Sequence, residues 1–478
     1  MLEGHSCLSA ALLFGSCEQE SNWYMNHWSS DEAKNSKRGM ELESNEGEDD
    51  QFGARKFLKV SDACERVESI PKASPDLKLA SEDGNIEGGD QVKVWNLLDA
   101  PEDLTQLTLS LPGQSNNRRH AGDNSDSDSD PFIHPIGRDL TIQCLIRCSR
   151  SDYGSVASLN SSFRSLIRSG EIYRWRRKEG VVEYWVYFSC QLLEWEAFDP
   201  NRSRWMHLPR MSSNECFMCS DKESLAVGTE LLVFGKEMMS HVIYRYSILT
   251  NSWSSGMQMN APRCLFGSAS LGNIAILAGG CDSQGTILSS AELYDSEKGT
   301  WTPLPSMHKP RKMCSGVFMD KKFYVIGGVG GTDLKVLTCG EEFDLETKTW
   351  TEIPNMSPGA AREAEAPAGN EAPPLVAVVN NQLYAADYAD MEVKKYDKDR
   401  KEWFTVGRLP ERAASMNGWG LAFRACGDRL IVIGGPRAMG EGFIELNSWV
   451  PSEGPPQWDL LARKQSVNFV YNCAVMGC

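Results

Sequence analysis

A unit of about 50 residues recurs along this sequence, and such a repeat decides the fold before any local pattern does. Each copy starts with an apolar run that ends in glycine, as in AILAGG at 275–280 and KFYVIGG at 322–328. Each copy ends in a polar segment closed by tryptophan, as in ELYDSEKGTW and EEFDLETKTW. The closing tryptophans are Trp205, Trp253, Trp301, Trp350, Trp403 and Trp458, at spacings of 48, 48, 49, 53 and 55 residues.

A second aromatic residue precedes each of the first five tryptophans by seven positions. These aromatic residues are Phe198, Tyr246, Tyr294, Phe343 and Tyr396. Aspartate follows each of them except Tyr246, which is followed by serine. The sixth copy departs from the pattern, because Pro451 occupies the aromatic position and Trp449 and Trp458 flank a proline-containing insert. Three elements that keep their mutual spacing make the repeat specific, although the register of the sixth copy is less defined.

The residue types of one unit predict a small antiparallel sheet. The β-branched and aromatic run is typical of a buried strand, and the glycines allow a tight turn. A polar hairpin such as DSEKG then joins two further strands. One four-stranded sheet cannot cover its own faces, whereas sheets stacked around an axis can, so the repeat predicts a mainly β, propeller-type fold. The pattern resembles the kelch repeat.

The first blade of this expected propeller lacks a first strand. VVEYWVYFS at 181–189 has the character of a second strand, and no matching first strand precedes it. SVNFVYNCAVMG at 466–477 resembles the first-strand runs at 263–272 and 312–320. We therefore expect the C-terminal run to complete the first blade, which predicts a six-bladed propeller over 179–478 without exposed sheet edges.

The N-terminal segment, 1–131, has a different composition. Its first 130 residues hold 12 of the 49 basic residues and 26 of the 65 acidic residues, so nearly all of the net charge of −16 lies there. Acidic, Ser, Asn and Gly clusters such as ESNEGEDD dominate, without sustained periodicity. Such a segment cannot bury enough apolar surface to offset its chain entropy, and we expect a disordered acidic leader.

The intervening segment, 132–178, has helical periodicity. Apolar residues fall largely on one face over 136–149 and again over 156–167, and EIYRWRRK at 171–178 forms a third short helical pattern. RWRRK at its end is expected to be a solvated helix terminus. About 45 residues of helix cannot build a large core alone, and we expect them to dock on another part of the chain.

This helical segment resembles an F-box. Asp139, Leu140, Leu145 and Arg147 match the first part of the F-box pattern, and the run from Leu159 through Phe163 to Ile167 matches the second part. Ile136 and Gly137 stand where the pattern has Leu-Pro, Ser149 replaces a second proline, and Phe163 replaces tryptophan. An F-box directly before kelch repeats is the arrangement of the plant F-box/kelch-repeat family.

This resemblance implies a substrate-recognition subunit of an SCF-type cullin ubiquitin ligase. The helical segment would bind a Skp-type adaptor, and the propeller would bind a target protein whose identity the sequence does not give. The adaptor-binding residues implied by the match are Ile136, Leu140, Leu145, Leu159 and Phe163. The alternative is a kelch scaffold outside any ligase, in which the helices only cap the propeller.

Arginines recur where the chain passes from one repeat to the next. The candidates for target binding are Arg210, Arg263, Arg311, Arg362 and Arg412, which follow a proline in these links. Kelch propellers that bind peptides carry arginines at this position around the binding mouth, and a guanidinium suits a carboxylate or phosphate. The structural alternative is that these arginines hold the crossing between blades.

Other functions have little support in the sequence. His207, His241 and His308 occupy unrelated positions of the repeat, and CFMC at 216–219 lacks a second ligand pair for zinc. We find no nucleophile elbow or phosphate loop, and expect neither an enzyme nor a cofactor or metal. The near-neutral repeat region predicts no nucleic-acid partner, and the absence of a long apolar run predicts no membrane partner. Fifteen scattered cysteines without a signal peptide favour the nucleus or cytoplasm.

Overall fold

The structure, a computed structural model, describes residues 137–238, 240–331, 334–358, 371–415, 417–435, 442–452 and 454–478. The expected leader, 1–131, lies outside the described residues, and so does Ile136. The described part begins with four short helices. They are α1 (Arg138–Leu145), α2 (Tyr153–Leu159), α3 (Ser161–Arg168) and α4 (Glu171–Lys178), with a 3-10 turn at Arg150–Asp152 before α2.

The pattern over 156–167 predicted one helix, and the structure contains two. Asn160 separates α2 from α3 with an extended backbone at φ −160° and ψ 172°. Its side chain accepts a hydrogen bond from the Phe163 backbone N–H at 2.8 Å, which caps α3. Periodicity alone missed this break because both helices present apolar residues to the same core.

Most of the described residues after α4 form six four-stranded antiparallel sheets, numbered here in chain order. Sheet 1 contains β1 (Tyr184–Ser189), β2 (Glu196–Asp199), β3 (Arg204–His207) and β27 (Asn472–Gly477). Sheet 2 contains β4 (Phe217–Val227), β5 (Glu230–Glu237), β6 (Ser240–Ser247) and β7 (Ser252–Ser255). Sheet 3 contains β8 (Gly267–Leu271), β9 (Ile274–Ala278), β10 (Ala291–Asp295) and β11 (Thr300–Leu304).

The remaining sheets repeat this order. Sheet 4 contains β13 (Ser315–Met319), β14 (Lys322–Ile326), β17 (Gly340–Asp344) and β18 (Thr349–Ile353). Sheet 5 contains β19 (Val376–Val379), β20 (Gln382–Asp387), β21 (Glu392–Asp397) and β22 (Glu402–Arg408). Sheet 6 contains β23 (Ala422–Cys426), β24 (Arg429–Gly434), β25 (Phe443–Trp449) and β26 (Asp459–Gln465), and three two-residue strands, β12 (Arg311–Lys312), β15 (Val329–Gly330) and β16 (Lys335–Val336), form a minor sheet.

The first strand of each sheet contacts the first strand of the next. These first strands are β27, β4, β8, β13, β19 and β23, and β23 in turn contacts β27. Apolar side chains from successive sheets pack between them; in one such cluster Val317 and Ile326 of sheet 4 meet Val376 and Leu383 of sheet 5. Each sheet therefore covers its faces with its neighbours.

The C-terminal strand β27 belongs to the same sheet as the first strand after the helices. β27 pairs with β1 in antiparallel register from Tyr184 opposite Gly477 to Ser189 opposite Asn472. A further pair of backbone hydrogen bonds joins Glu183 and Cys478, at 3.0 and 3.1 Å. Sheet 1 is thus assembled from two chain segments that are almost 300 residues apart in sequence.

The spacing of seven residues that recurs in the first five repeats corresponds to a tight hairpin between the third and fourth strands of a sheet. In sheet 3, Tyr294 lies directly opposite Trp301, with ring centroids 4.8 Å apart. Asp295 accepts hydrogen bonds from the backbone N–H groups of Glu297 and Lys298, which shapes the turn. The same opposition holds for the pairs Phe198–Trp205, Tyr246–Trp253, Phe343–Trp350 and Tyr396–Trp403.

The tryptophans also connect neighbouring sheets. The indole N–H of Trp301 donates to the Met257 carbonyl at 2.9 Å, and Met257 lies in the link that leaves sheet 2. The equivalent bonds run from Trp253 to Pro209, from Trp350 to Pro305, from Trp403 to Met356 and from Trp458 to Arg408. The last bond shows that Trp458 is the tryptophan of the sixth copy, with Trp449 as its ring partner at 5.8 Å.

The helices pack on sheets 1 and 2. Ile146, Ile172 and Tyr173 are buried in one core with Trp185 of β1 and Met476 of β27. Burial of large apolar side chains of this kind removes most of their surface from water and is the main term that holds the segment in place.

Candidate binding surfaces

The residues expected to bind the adaptor differ in exposure. Leu140 on α1 and Leu159 at the end of α2 are 60% and 69% exposed, which is unusual for leucine in a compact domain. Leu145 is buried in the core shared by the helices and sheet 1, and Phe163 packs against that core while remaining partly exposed. The structure therefore leaves Leu140 and Leu159 accessible, whereas Leu145 has an intramolecular role.

Two buried arginines fix the helices to the sheets. Arg150 donates to the hydroxyl of Tyr187 at 2.8 Å and to the carbonyl of Met476 at 3.4 Å, and its guanidinium lies 4.8 Å from the ring centre of Trp185. Arg176 donates to the Cys148 carbonyl at 2.7 Å and lies 3.6 Å from Glu183. The expectation of a solvated terminus at 174–178 is wrong for Arg176, which is 1% exposed because it donates to the Cys148 carbonyl and to the buried hydroxyl of Tyr153.

Arg263 and Arg311 are not directed at a binding mouth. Arg311 lies 2.7 Å from Glu341 of β17, and both side chains are fully buried. Arg263 lies 2.9 Å from Glu292 of β10, again with both side chains buried. The guanidinium groups thus already have acidic partners, which the sequence did not reveal because these partners lie about 30 residues further along the chain.

Each of these ion pairs also organises the link between sheets. Arg263 donates to the carbonyls of Gly279 and Ser290 at 3.2 and 2.6 Å. Glu292 accepts the backbone N–H groups of Asn260 and Ala261, both at 2.9 Å. These contacts favour the structural alternative, in which the arginines hold the crossing between repeats. A buried charge of this kind requires its partner, since an unpaired charge is costly.

The other predicted target-binding arginines have separate surroundings. Arg210 is exposed in the link between sheets 1 and 2. Arg412 is half-buried, 3.7 Å from both the ring centre of Phe443 and the carboxylate of Glu445. Arg362 lies outside the described residues. The structure therefore does not gather the five arginines into one cluster, and target binding by Arg210, Arg362 or Arg412 remains a prediction.

The sequence reading missed a charged bulge in β4. The pairing of β4 with β5 is interrupted between Cys219, opposite Gly235, and Ser224, opposite Val233. The bulged residues Asp221, Lys222 and Glu223 line a cavity between the first strands of the sheets. The signal that could have located the bulge is the run DKE inside an otherwise apolar first strand.

Both basic and acidic groups of this bulge are perturbed. Burial and, to a smaller extent, the nearby charge of Arg424 lower the pKa of Lys222 to about 7. Burial raises the pKa of Glu223 to about 8, although a hydrogen bond from the Leu265 backbone N–H favours the charged form. Perturbed groups that line a cavity are frequent in binding sites.

The described residues contain no group of three or more His, Cys, Asp or Glu residues arranged to hold a metal ion. The twelve cysteines in these ranges are free thiols. No helix among them has the length and apolar character needed to cross a membrane.

Comparison with known proteins identifies the family. A model of the Kelch motif matches residues 262–308 and 310–357. The F-box/kelch-repeat protein SKIP11 of Arabidopsis thaliana is 61% identical over 481 residues, covering 99% of this chain and 98% of its own. A second Arabidopsis thaliana F-box/kelch-repeat protein is 68% identical over 74% of this chain and 85% of its own length. A third is 56% identical over the full length of this chain and of its own. The chain belongs to the plant F-box/kelch-repeat protein family.

Proposed function

We propose that this protein is the substrate-recognition subunit of an SCF-type cullin ubiquitin ligase. The observation that carries the proposal is the combination, in one chain, of kelch sheets with a helical segment whose leucines Leu140 and Leu159 are exposed. An exposed apolar side chain on a short helix suits contact with an apolar partner surface. The Skp-type adaptor would bind this segment, 132–178, and the cullin would be reached through the adaptor.

We further propose that the six sheets are the blades of a closed six-bladed propeller over 179–478. The contacts of the first strands support this arrangement, because they run from β27 through β4, β8, β13 and β19 to β23 and return to β27. Closure of this kind would pair the edge of β1 with β27, so that the first blade has four strands like the others.

The target protein would bind on what we call the loop face. This face carries the links from the fourth strand of one sheet to the first strand of the next, together with the loops between second and third strands. Loops on a rigid scaffold commonly carry recognition. The role is non-catalytic: the protein holds the target near a ubiquitin-loaded enzyme and thereby raises its effective concentration. We propose the nucleus or cytoplasm as the compartment, in keeping with the free thiols of the described residues.

The adaptor contact can be tested with Leu140→Asp combined with Leu159→Asp. Each carboxylate would have to be desolvated against an apolar partner, so we expect adaptor co-purification to fall at least tenfold. Both positions are exposed in the free protein, and the melting temperature should change little. Leu460→Asp, at a position 50% exposed on β26 of sheet 6, is the matched control and should retain the adaptor.

Equal recovery of a Skp-type adaptor with the wild type and the double variant would contradict the proposed adaptor site. Absence of any adaptor with the wild type would instead favour the alternative of a kelch scaffold. The burial of Arg150 and Arg176 at the base of the helices supports this alternative, in which the helices cap the sheets.

A further inference from the structure

A cavity lies between the first strands of the six sheets and encloses about 270 Å³. Residues from all six first strands contribute to its walls, among them Phe318 of β13, and so do Phe266 and Trp419 in the links before β8 and β23. The three bulged residues of β4, Asp221–Glu223, line it as well. The cavity is thus a central feature of the sheets and not a space within one of them.

The bulge of β4 is held across the cavity by three other sheets. The backbone N–H of Lys222, at a left-handed φ of 60°, donates to the Tyr471 carbonyl just before β27 at 2.9 Å. Its ammonium donates to the Leu421 carbonyl just before β23 at 2.6 Å. Glu223 accepts the Leu265 N–H just before β8. A left-handed lysine is an unfavourable conformation that persists only because these surroundings fix it.

Residues 265, 421 and 471 all lie immediately before first strands, where the links from the preceding sheets arrive. The bulge therefore lies at the loop-face end of the cavity, on the face proposed to receive the target. A ligand group that enters from this face meets the bulge first.

Two polar atoms at the bulge lack a hydrogen-bond partner, whereas its basic group has one. Oε1 of Glu223 accepts the Leu265 N–H, whereas its Oε2 and the hydroxyl of Ser224 are buried without a hydrogen-bond partner. Both residues line the cavity and are more than nine-tenths buried. Lys222 donates to a carbonyl, and Arg424 donates to the carbonyls of Cys473 and Phe423 at 2.9 and 3.2 Å.

We propose that this cavity binds one basic side chain of the target, an ammonium or guanidinium group, through Glu223 and Ser224. The unpartnered carboxylate oxygen accepts one hydrogen bond from the cation, and the Ser224 oxygen accepts a second. Phe266, Phe318 and Trp419 also line the cavity and add apolar wall area for the stem of such a side chain. The identity of the ligand as part of a target rests on the proposed function, whereas the cavity's preference for a cation does not.

The pH for a binding experiment is chosen from the charged and titratable groups around Glu223. Asp221 and Lys222 flank it on the bulge, and Cys264, Cys281 and Cys314 approach it from sheets 3 and 4. Arg424 lies on the Lys222 side of the cavity. At pH 8.5 Lys222 is mostly neutral and Glu223 is mostly ionised, because burial moves their pKa values to about 7 and about 8. This charge state leaves the carboxylate ready to accept a cation.

The probe is N-acetyl-arginine amide, with the neutral N-acetyl-citrulline amide as its isosteric control, added to the full-length protein at pH 8.5. We expect a saturable rise in melting temperature of about 2 °C at tenfold excess over Kd with the arginine probe alone. Glu223→Gln keeps an acceptor for the Leu265 N–H and should weaken this binding at least tenfold. Lys222→Met removes the competing basic group and should leave the binding equal or tighter.

Several results would overturn the proposal. One is the absence of a shift with the arginine probe, which would mean that the cavity holds only water. Another is an equal response to the arginine and citrulline probes, or a response that survives Glu223→Gln. A third is stabilisation by N-acetyl-glutamate amide that Lys222→Met abolishes, which would identify an anion site. None of these measurements involves the adaptor, so failure here is distinguishable from failure of the adaptor test.

Discussion

Arg311 lies in an ion pair with Glu341 in which both side chains are fully buried. Its guanidinium also donates to the carbonyls of Gly327 and Cys339 at 3.0 and 3.2 Å. Removal of one partner leaves the other as an uncompensated buried charge, and this cost exceeds the net worth of the pair itself. The contribution of Arg311 is therefore expected to appear in folding stability.

Arg311→Ala should lower the free energy of unfolding by about 3–5 kcal/mol, because Glu341 would remain buried without its cation. Arg210→Ala, at the exposed arginine of an equivalent link, should change it by less than about 0.5 kcal/mol. Urea unfolding of both variants provides the measurement. A folded Arg311→Ala protein of unchanged stability would refute the structural role and restore the arginine as a candidate for target binding.

The residue two positions before each of the first five closing tryptophans has a left-handed backbone. Glycine occupies this position in sheet 3, where Gly299 has φ 64°, whereas sheet 4 has Lys348 at φ 57° and sheet 5 has Lys401 at φ 56°. A side chain there costs about 1–2 kcal/mol relative to the right-handed region, and glycine avoids that cost. The repeats thus provide the same backbone geometry with and without a Cβ atom.

Lys348→Gly should stabilise the protein by up to about 1 kcal/mol. Glycine relieves the backbone strain of the folded state, but part of this gain is lost because glycine also increases the conformational entropy of the unfolded chain. Lys348→Ala retains the Cβ atom and serves as the control for loss of the charge. Gly299→Ala should destabilise by about 1 kcal/mol, and by backbone conformation alone, since nothing lies within 4 Å of the added Cβ. Thermal unfolding of the three variants would contradict this account if Lys348→Gly and Lys348→Ala behaved alike.

At the scale of elements, the hairpins were predictable and the bulge of β4 was not. Tyr294 meets Trp301 across a turn of only a few residues, so the spacing in sequence already encodes the contact. Lys222 is fixed by Leu421, 199 residues away, and Glu223 by Leu265, 42 residues away. No local pattern contains such partners, and only the assembled sheets bring them together.

The acidic partners of Arg263 and Arg311 could be predicted from the sequence only in part. Glu292 and Glu341 each stand two residues before the repeat's aromatic residue, Tyr294 and Phe343. This recurrence was available in the sequence as a signal. Its meaning required the register of the third strand against the incoming link, which depends on how successive sheets are joined.

Two buried groups in the β4 bulge, Glu223 and Lys222, are expected to make the free energy of unfolding depend on pH. Burial raises the pKa of Glu223 to about 8, so the folded protein retains a proton that the unfolded chain loses near pH 4.5. The stability from this group is complete below about pH 4.5 and falls as the pH rises to about 8. Burial lowers the pKa of Lys222 to about 7, so its contribution rises between about pH 7 and 10.5.

Glu223→Gln should therefore become progressively more stable relative to the wild type from pH 5 to pH 8, by a difference on the order of a few kcal/mol. The difference should stay constant above pH 8. Lys222→Met should remove the rise above pH 7 and leave the lower window unchanged. Urea unfolding at several pH values gives these differences directly, and a Glu223→Gln effect that does not vary with pH would refute the assignment.

At the scale of the whole molecule, the two ends of the described chain depend on each other. β27 is the partner of β1, and Met476 and Cys478 also belong to the core under the helices. Arg150, next to α2, donates to the Met476 carbonyl, 326 residues away. The C-terminal strand thus supports both the first sheet and the position of the helical segment relative to the sheets.

Deletion of residues 472–478 should expose the β1 edge and loosen the helices together. An unpaired strand with an apolar core beside it is prone to self-association, so the truncated protein should aggregate and lose adaptor binding. A synthetic peptide of residues 466–478, added during refolding, should restore the monomer and adaptor binding. The same peptide with Ala474→Pro should not, because Ala474 lies in a hydrogen-bonded pair with Tyr187 and proline cannot donate this backbone bond to β1. Size-exclusion chromatography and adaptor co-purification measure the two effects.

A truncated protein that stays monomeric with an unchanged melting temperature would show that sheet 1 does not need its C-terminal strand. An adaptor that still bound such a protein would show that the helical segment holds its position without this strand.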